Sequence, residues 1–165
     1  MTNLLDDAFA HHIWATETII DTCAELTEEQ LTSPAAGTYG PIIDTLRHLV
    51  STDAWYLTFL QDKPQRIDGD TKADLGELRT AIGENGRDWT DILARGLNGE
   101  TDTVEEGDGW RFHAPLGFRL AQVVQHGTDH RSQVCTGLTG LGIEPPAIDL
   151  WAYGDASKRT RAENR

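Results

Sequence analysis

Four long stretches of the chain carry apolar residues at the spacing of an α-helix, and this pattern constrains the fold most. They run from about Leu4 to Leu26, Pro41 to Gln61, Ala73 to Leu97 and Leu116 to Leu141. In each stretch apolar residues return every three or four positions, which places them on one face of a helix. Such helices bury their apolar faces against one another. The pattern therefore predicts an all-α domain, a four-helix bundle, spanning residues 1–165.

The connections between these stretches are polar and rich in turn-forming residues. The segment from Asp62 to about Lys72 contains proline and glycine and predicts a long crossover loop between the second and third helices. Before the last helix, Thr103-Val104 and Trp110–Phe112 flank an acidic, glycine-containing turn, which is typical of a short hairpin. From about Ser157 the chain is polar, and we expect a mobile C-terminal end.

The charge balance and the cysteine content limit the partners and the compartment. Fourteen lysines and arginines face 27 aspartates and glutamates, for a net charge of −13. A surface this acidic repels phosphate backbones and anionic lipids, so we expect neither nucleic acid nor membranes as partners. No basic segment leads into an apolar run, which predicts no secretory signal. Two cysteines, Cys23 and Cys135, form no disulfide framework, and we expect core cysteines in a cytoplasmic protein.

The most informative string is HGTDHRSQ, which begins at His126 and contains His130 one helical turn later. Side chains spaced this way emerge on one face, with Cβ atoms about 5–6 Å apart, which suits two imidazoles on one ion. A third imidazole is available from His48, on a second face of the second helix that also carries Trp55 and Phe59. Three neutral nitrogens with open positions are typical of a catalytic metal site.

These histidines also have interpretations without a metal. Pairs spaced as H-x-x-x-H occur on many helices that bind nothing, and a single His48 also fits a hydrogen-bonded or surface residue. His12 lies on the apolar face of the first helix, where it is either a buried, hydrogen-bonded histidine or part of a pocket above the metal. The chain contains no E-x-x-H, H-E-x-x-H or phosphate-binding loop, which excludes di-iron bundles and the common metalloprotease and nucleotide sites.

Four segments together resemble the DinB-like family of small metal-binding four-helix bundles, which is related to the N-terminal domains of mycothiol-dependent enzymes. These segments are HIWATE in the first helix, TLRHLVSTDAWY in the second, VVQHGTDHRSQV in the fourth and GIEPPAIDLWAY after it. The resemblance covers nearly the whole chain. It implies that His48, His126 and His130 hold one divalent ion, usually zinc or nickel. Ser132 stands where the family usually has glycine, a change that leaves the ligands intact.

The resemblance also suggests a reaction. Its best-understood members use a low-molecular-weight thiol such as mycothiol or bacillithiol, which implies metal-dependent S-transfer from a small-molecule thiol to a small electrophile. We expect His12, Trp55, Arg131 and Trp151 to line the pocket, and the family's frequent dimers imply a homodimer. The alternative is a non-catalytic metal-binding stress or structural protein, which a fourth protein ligand such as His12 would favour.

Overall fold

The computed structural model describes residues 5–61 and 64–163, and within these ranges the chain is mostly helical. In the described residues, six helices and two strands follow one another as α1 (Asp6–Cys23), α2 (Glu28–Thr32), α3 (Ile42–Thr58), α4 (Leu75–Leu93), β1 (Asp102–Gly107), β2 (Trp110–Pro115), α5 (Leu116–Gly140) and α6 (Leu150–Ala156). The predicted starts of the first helix at Leu4 and of the crossover loop at Asp62 lie outside the described residues.

The four long helices α1, α3, α4 and α5 each lie within a predicted stretch. Local capping explains some of the boundaries. Asp74 accepts a hydrogen bond from the Glu77 backbone N–H at 2.9 Å, while the Glu77 carboxylate accepts one from the Asp74 N–H at 2.8 Å. This capping box starts α4 after the predicted position. An equivalent box between Thr27 and Gln30 begins α2, a short helix that the apolar spacing does not predict.

The long helices pack as amphipathic elements, since α1 and α3 each contact both α4 and α5. Two apolar clusters fill the space between them. The first includes Ile20, Leu46, Ile82 and Leu138, and the second includes Phe9, Trp89 and Leu120. Within the two described ranges, no helix combines the length and the apolar character needed to cross a membrane.

The strands form the expected hairpin, so the fold is helical apart from this small sheet. β1 pairs antiparallel with β2, with Asp102 opposite Pro115 and Gly107 opposite Trp110. The hairpin leads directly into α5 and is joined to it by Arg119, whose Nε donates to Thr103 Oγ1 at 2.6 Å. The hairpin therefore fixes where α5 begins.

Helices α1 and α5 approach closely at Gly127. A Cβ atom at this position would overlap the imidazole of His12 and lie 2.8 Å from Arg131 Nη1. His12 is completely buried. Glycine at 127 therefore leaves the space that the His12 ring occupies between the two helices.

This close approach predicts that Gly127→Ala destabilises the protein by about 1–3 kcal/mol, because the added methyl group must displace a buried ring. Gly140→Ala is the matched control at the end of the same helix, where a Cβ meets no other atom within 4 Å. We expect the control to be neutral or stabilising by up to about 1 kcal/mol. Urea unfolding of both variants measures the difference, and equal free energies of unfolding would contradict the placement of His12.

Candidate metal centre

Three imidazoles from two helices meet at one point of the structure. His48 comes from α3, while His126 and His130 come from successive turns of α5. One ring nitrogen from each lies within 4.8 Å of the others, and the Nε2 atoms of His48 and His126 are 3.1 Å apart. We call these residues the histidine cluster. Among the described residues, no other histidine, cysteine or carboxylate belongs to this cluster.

The arrangement fits a divalent metal ion. Tetrahedral zinc with Zn–N bonds of about 2.0–2.1 Å places two ligand nitrogens roughly 3.3 Å apart, close to the observed separation of the His48 and His126 nitrogens. The Nδ1 atom of His130 is buried and has no hydrogen-bond partner in the structure. Buried polar atoms are nearly always paired, so an unpaired imidazole nitrogen on a residue of this cluster suits a metal ligand.

Burial keeps the cluster neutral. Burial, followed by the neighbouring His130 and His48, lowers the pKa of His126 to about 4. The pKa of His48 is lowered by burial and then by His130. Burial also lowers the pKa of His130, although a hydrogen bond to Gln133 and the charge of Asp129 partly oppose this effect. Neutral imidazoles can accept a cation without first losing a proton.

Tyr39, in the loop between α2 and α3, lies against the cluster. Its ring stacks on the His48 imidazole, with 4.2 Å between centroids and 11° between planes, and meets His130 edge-on at 5.5 Å. Its backbone N–H donates to Gln133 Oε1 at 2.8 Å. The sequence pattern does not point to Tyr39, because a tyrosine in a proline- and glycine-containing loop has no periodic signal to place it, nor to Gln133, which is one of several polar residues on α5.

A second group of polar residues is buried among the four long helices. His12 from α1 lies between Asp53 of α3, whose Oδ1 is 3.0 Å from His12 Nε2, and Arg131 of α5, whose Nη1 is 3.0 Å from His12 Nδ1. Asn85 and Trp89 of α4 also donate to Asp53, at 2.8 and 3.1 Å. We call these five residues the buried polar network.

The hydrogen bonds fix the protonation of His12. A guanidinium only donates, so His12 Nδ1 must accept from Arg131, and His12 Nε2–H donates to the Asp53 carboxylate. A neutral imidazole thus bridges a buried anion and a buried cation. Burial lowers the pKa of Arg131 to about 10, and the charge of Asp53 opposes this. The arginine therefore stays charged at neutral pH.

The four residues expected to line a pocket occupy different environments. His12 and Arg131 are buried in the polar network, at 0% and 2% exposure. Trp55 is half-buried on α3, where its ring meets Phe59 edge-on at 4.7 Å. Trp151 in α6 is 78% exposed, beside Leu150 and Tyr153. The cluster and the network therefore share α3 and α5, while Trp151 lines a groove together with Leu150 and Tyr153.

The lowered pKa of His126 predicts how stability depends on pH in the metal-free protein. The unfolded chain binds a proton near pH 6.5, whereas the folded His126 does so only near pH 4. Between these values the unfolded state holds more protons, so this contribution to the free energy of unfolding is lost as pH falls from about 6.5 to about 4.

We expect His126→Gln to lose less stability than the wild type between pH 7 and pH 5 in urea titrations with a chelator present. His113→Gln, which removes an exposed histidine of β2 outside the cluster, is the comparison variant. A wild-type slope in His126→Gln would refute the neutral, buried state of His126.

Comparison with known proteins identifies the family. The family model described as "DinB family" matches residues 1–163. No curated protein matches the chain. The match spans all four long helices, including the two that carry the histidine cluster. The chain therefore belongs to the DinB family.

Proposed function

We propose that the histidine cluster binds one divalent cation, zinc or nickel, and that the protein transfers a low-molecular-weight thiol to small electrophiles. The observation that carries this proposal is the meeting of three neutral imidazoles without a fourth histidine, cysteine or carboxylate in the group, within the described ranges. Three protein ligands leave room for an external one, as in catalytic rather than structural zinc sites.

The protein's own cysteines do not provide the nucleophile. Burial raises the pKa of the Cys23 thiol to about 12, and it also raises the pKa of Cys135. Both residues are free thiols that remain protonated at neutral pH. A sulfur nucleophile in this protein therefore has to come from a small-molecule thiol such as mycothiol or bacillithiol, which is the chemistry implied by the family resemblance.

A divalent cation in the cluster supplies positive charge that lowers the pKa of a nearby thiol from about 8.5 and favours its thiolate form. His48, His126 and His130 provide uncharged ligands, so they do not repel the cation. In the proposed reaction the thiol sulfur forms a bond to an electrophilic carbon, while the thiol proton and the leaving group depart. Trp55 is half-buried about two helical turns after His48 on α3, and we propose that it provides the apolar surface for the electrophile.

We interpret the packing of the four long helices as the four-helix bundle of this family, with the segment from α3 to α4 as its crossover. The histidine cluster then combines α3, which precedes the crossover, with α5, which follows it.

We also propose a homodimer in the cytoplasm, where free cysteines such as Cys23 and Cys135 persist. The acidic surface gives no attraction for anionic partners, so selectivity has to arise from residues next to the cluster.

A non-catalytic metal-binding role is the second candidate. The position of Tyr39 favours it, because the stacked ring covers one face of His48 and restricts approach from that side. The two candidates share the metal site and differ in whether an external thiol reacts there.

The metal site predicts that His126→Ala loses most of its bound metal. One of three ligands is removed, and His48 and His130 alone close too little of the coordination shell. Elemental analysis of untagged, purified protein measures the metal content. His113→Ala is the control, since His113 is exposed on β2 outside the cluster. Stoichiometric metal in His126→Ala would show the ligand assignment to be wrong.

The transferase proposal predicts that metal-loaded protein accelerates conjugation of a thiol to monochlorobimane. Mycothiol, bacillithiol, glutathione and coenzyme A are supplied in turn, and fluorescence reports product. We expect at least one thiol to react faster with wild type than with the metal-free protein or His48→Ala. If no thiol reacts faster and none shifts the melting temperature of the metal-loaded protein, the non-catalytic candidate replaces the transferase.

A further inference from the structure

Tyr39 is the aromatic residue of the loop that connects α2 to α3, and the residue as a whole is 58% exposed. The inner face of the ring lies parallel to the His48 imidazole at 4.2 Å, and its contact with His130 is perpendicular. One side chain thus contacts histidines from both α3 and α5.

The loop that carries Tyr39 is held in place from three sides. Within the loop, Thr38 Oγ1 donates to the carbonyls of Ala35 and Gly40, at 2.8 and 2.9 Å. Across to α5, the Tyr39 N–H donates to Gln133. The start of α3 approaches α5 closely at Gly137, where a Cβ would lie 2.9 Å from Ile42 Cγ1. These contacts fix the position of the Tyr39 ring relative to the histidine cluster.

His48 has few other restraints on its ring. Its Nδ1 is 3.5 Å from Thr52 Oγ1, at the limit of a hydrogen bond, and its Nε2 faces His126. An imidazole joined to the backbone by two rotatable bonds needs packing or hydrogen bonds to hold one orientation. The rings of His126 and His130 meet the His48 ring edge-on, at 5.1 and 4.7 Å between centroids, and the Tyr39 stack is the aromatic contact from outside the cluster that opposes its rotation.

We infer that Tyr39 is a positioning residue of the metal site, whose ring clamps His48 in its ligating orientation and shields that face of the cluster. This inference rests on the proposed metal binding and adds to it a residue outside the ligand set. It makes retention of the metal depend on the loop between α2 and α3. Aromatic stacking, rather than the tyrosine hydroxyl, is the operative contact.

The test measures how fast zinc-loaded protein releases its metal to an excess of a chromogenic chelator. Residues that orient metal ligands typically change affinity by about 10–100-fold when removed. We therefore expect Tyr39→Ala to release zinc at least about tenfold faster than wild type. Tyr39→Phe keeps the stacked ring and should release zinc at the wild-type rate. A wild-type rate in Tyr39→Ala, or an equal acceleration in Tyr39→Phe, would overturn the inference.

Tyr153→Ala is the matched control. Tyr153 meets His11 edge-on, with 6.0 Å between ring centroids, and His11 lies outside the cluster. Loss of an aromatic residue that contacts a histidine elsewhere should leave zinc release unchanged. A general loss of stability would accelerate release in both alanine variants, and that result would also count against a specific role for Tyr39.

A metal-free measurement separates this inference from the proposed function. Diethylpyrocarbonate modifies neutral imidazoles, and mass spectrometry locates the product. In metal-free Tyr39→Ala we expect His48 to react several-fold faster than in wild type, relative to His113 as the exposed internal reference. If wild type binds no zinc while His48 still reacts faster in the variant, the metal proposal fails, and of the inference only the restraint of the His48 ring by Tyr39 stands. If zinc binds but neither zinc release nor the modification of His48 changes in the variant, the positioning role of Tyr39 fails and the metal proposal stands.

Discussion

The rest of the structure depends on a bridged pair of buried charges. Asp53 and Arg131 lie on α3 and α5, and the neutral imidazole of His12 from α1 joins them by hydrogen bonds on both sides. Two donors from α4 complete the coordination of the carboxylate. An unpaired buried charge costs several kcal/mol, roughly 3–5 when one partner of a pair is removed. The buried polar network therefore permits few alternative arrangements of the four long helices.

This network also determines where the histidine cluster lies. Arg131 follows His130 directly in α5, and Gly127 follows His126, so each cluster residue on this helix has a neighbour that contacts His12. On α3, Asp53 follows His48 by five residues. The hydrogen bonds of the buried polar network therefore hold α3 and α5, the two helices that carry the cluster, in register. A fully satisfied network of this kind is rigid, which is what a site needs if its ligands are to be oriented before the metal arrives.

The sequence predicts the long helices well because their apolar spacing reflects burial, and burial dominates their packing. It also groups His48, His126 and His130, although only the family resemblance selects the metal interpretation over the alternatives. The buried polar network is harder to predict, since it needs the relative positions of four helices. Its signals are nevertheless present, because His12 and Asp53 both occupy apolar faces where a polar residue requires a partner. Tyr39 has no such signal, because loop conformation depends on contacts distant in sequence, such as the bond to Gln133.

The contrast between His12 and the histidine cluster is the strongest argument for a metal at the cluster. His12 is completely buried and both its ring nitrogens are paired, as expected of a structural residue. His130 is also buried, yet its Nδ1 has no partner, and a buried unpaired polar atom costs about 1–3 kcal/mol. Beside it, His48 and His126 direct their Nε2 atoms at each other rather than at oxygen acceptors. The same fold that pairs both ring nitrogens of His12 thus leaves one buried imidazole nitrogen of the cluster unpaired and directs two others at each other. Such a group is stabilised when one cation accepts all three lone pairs.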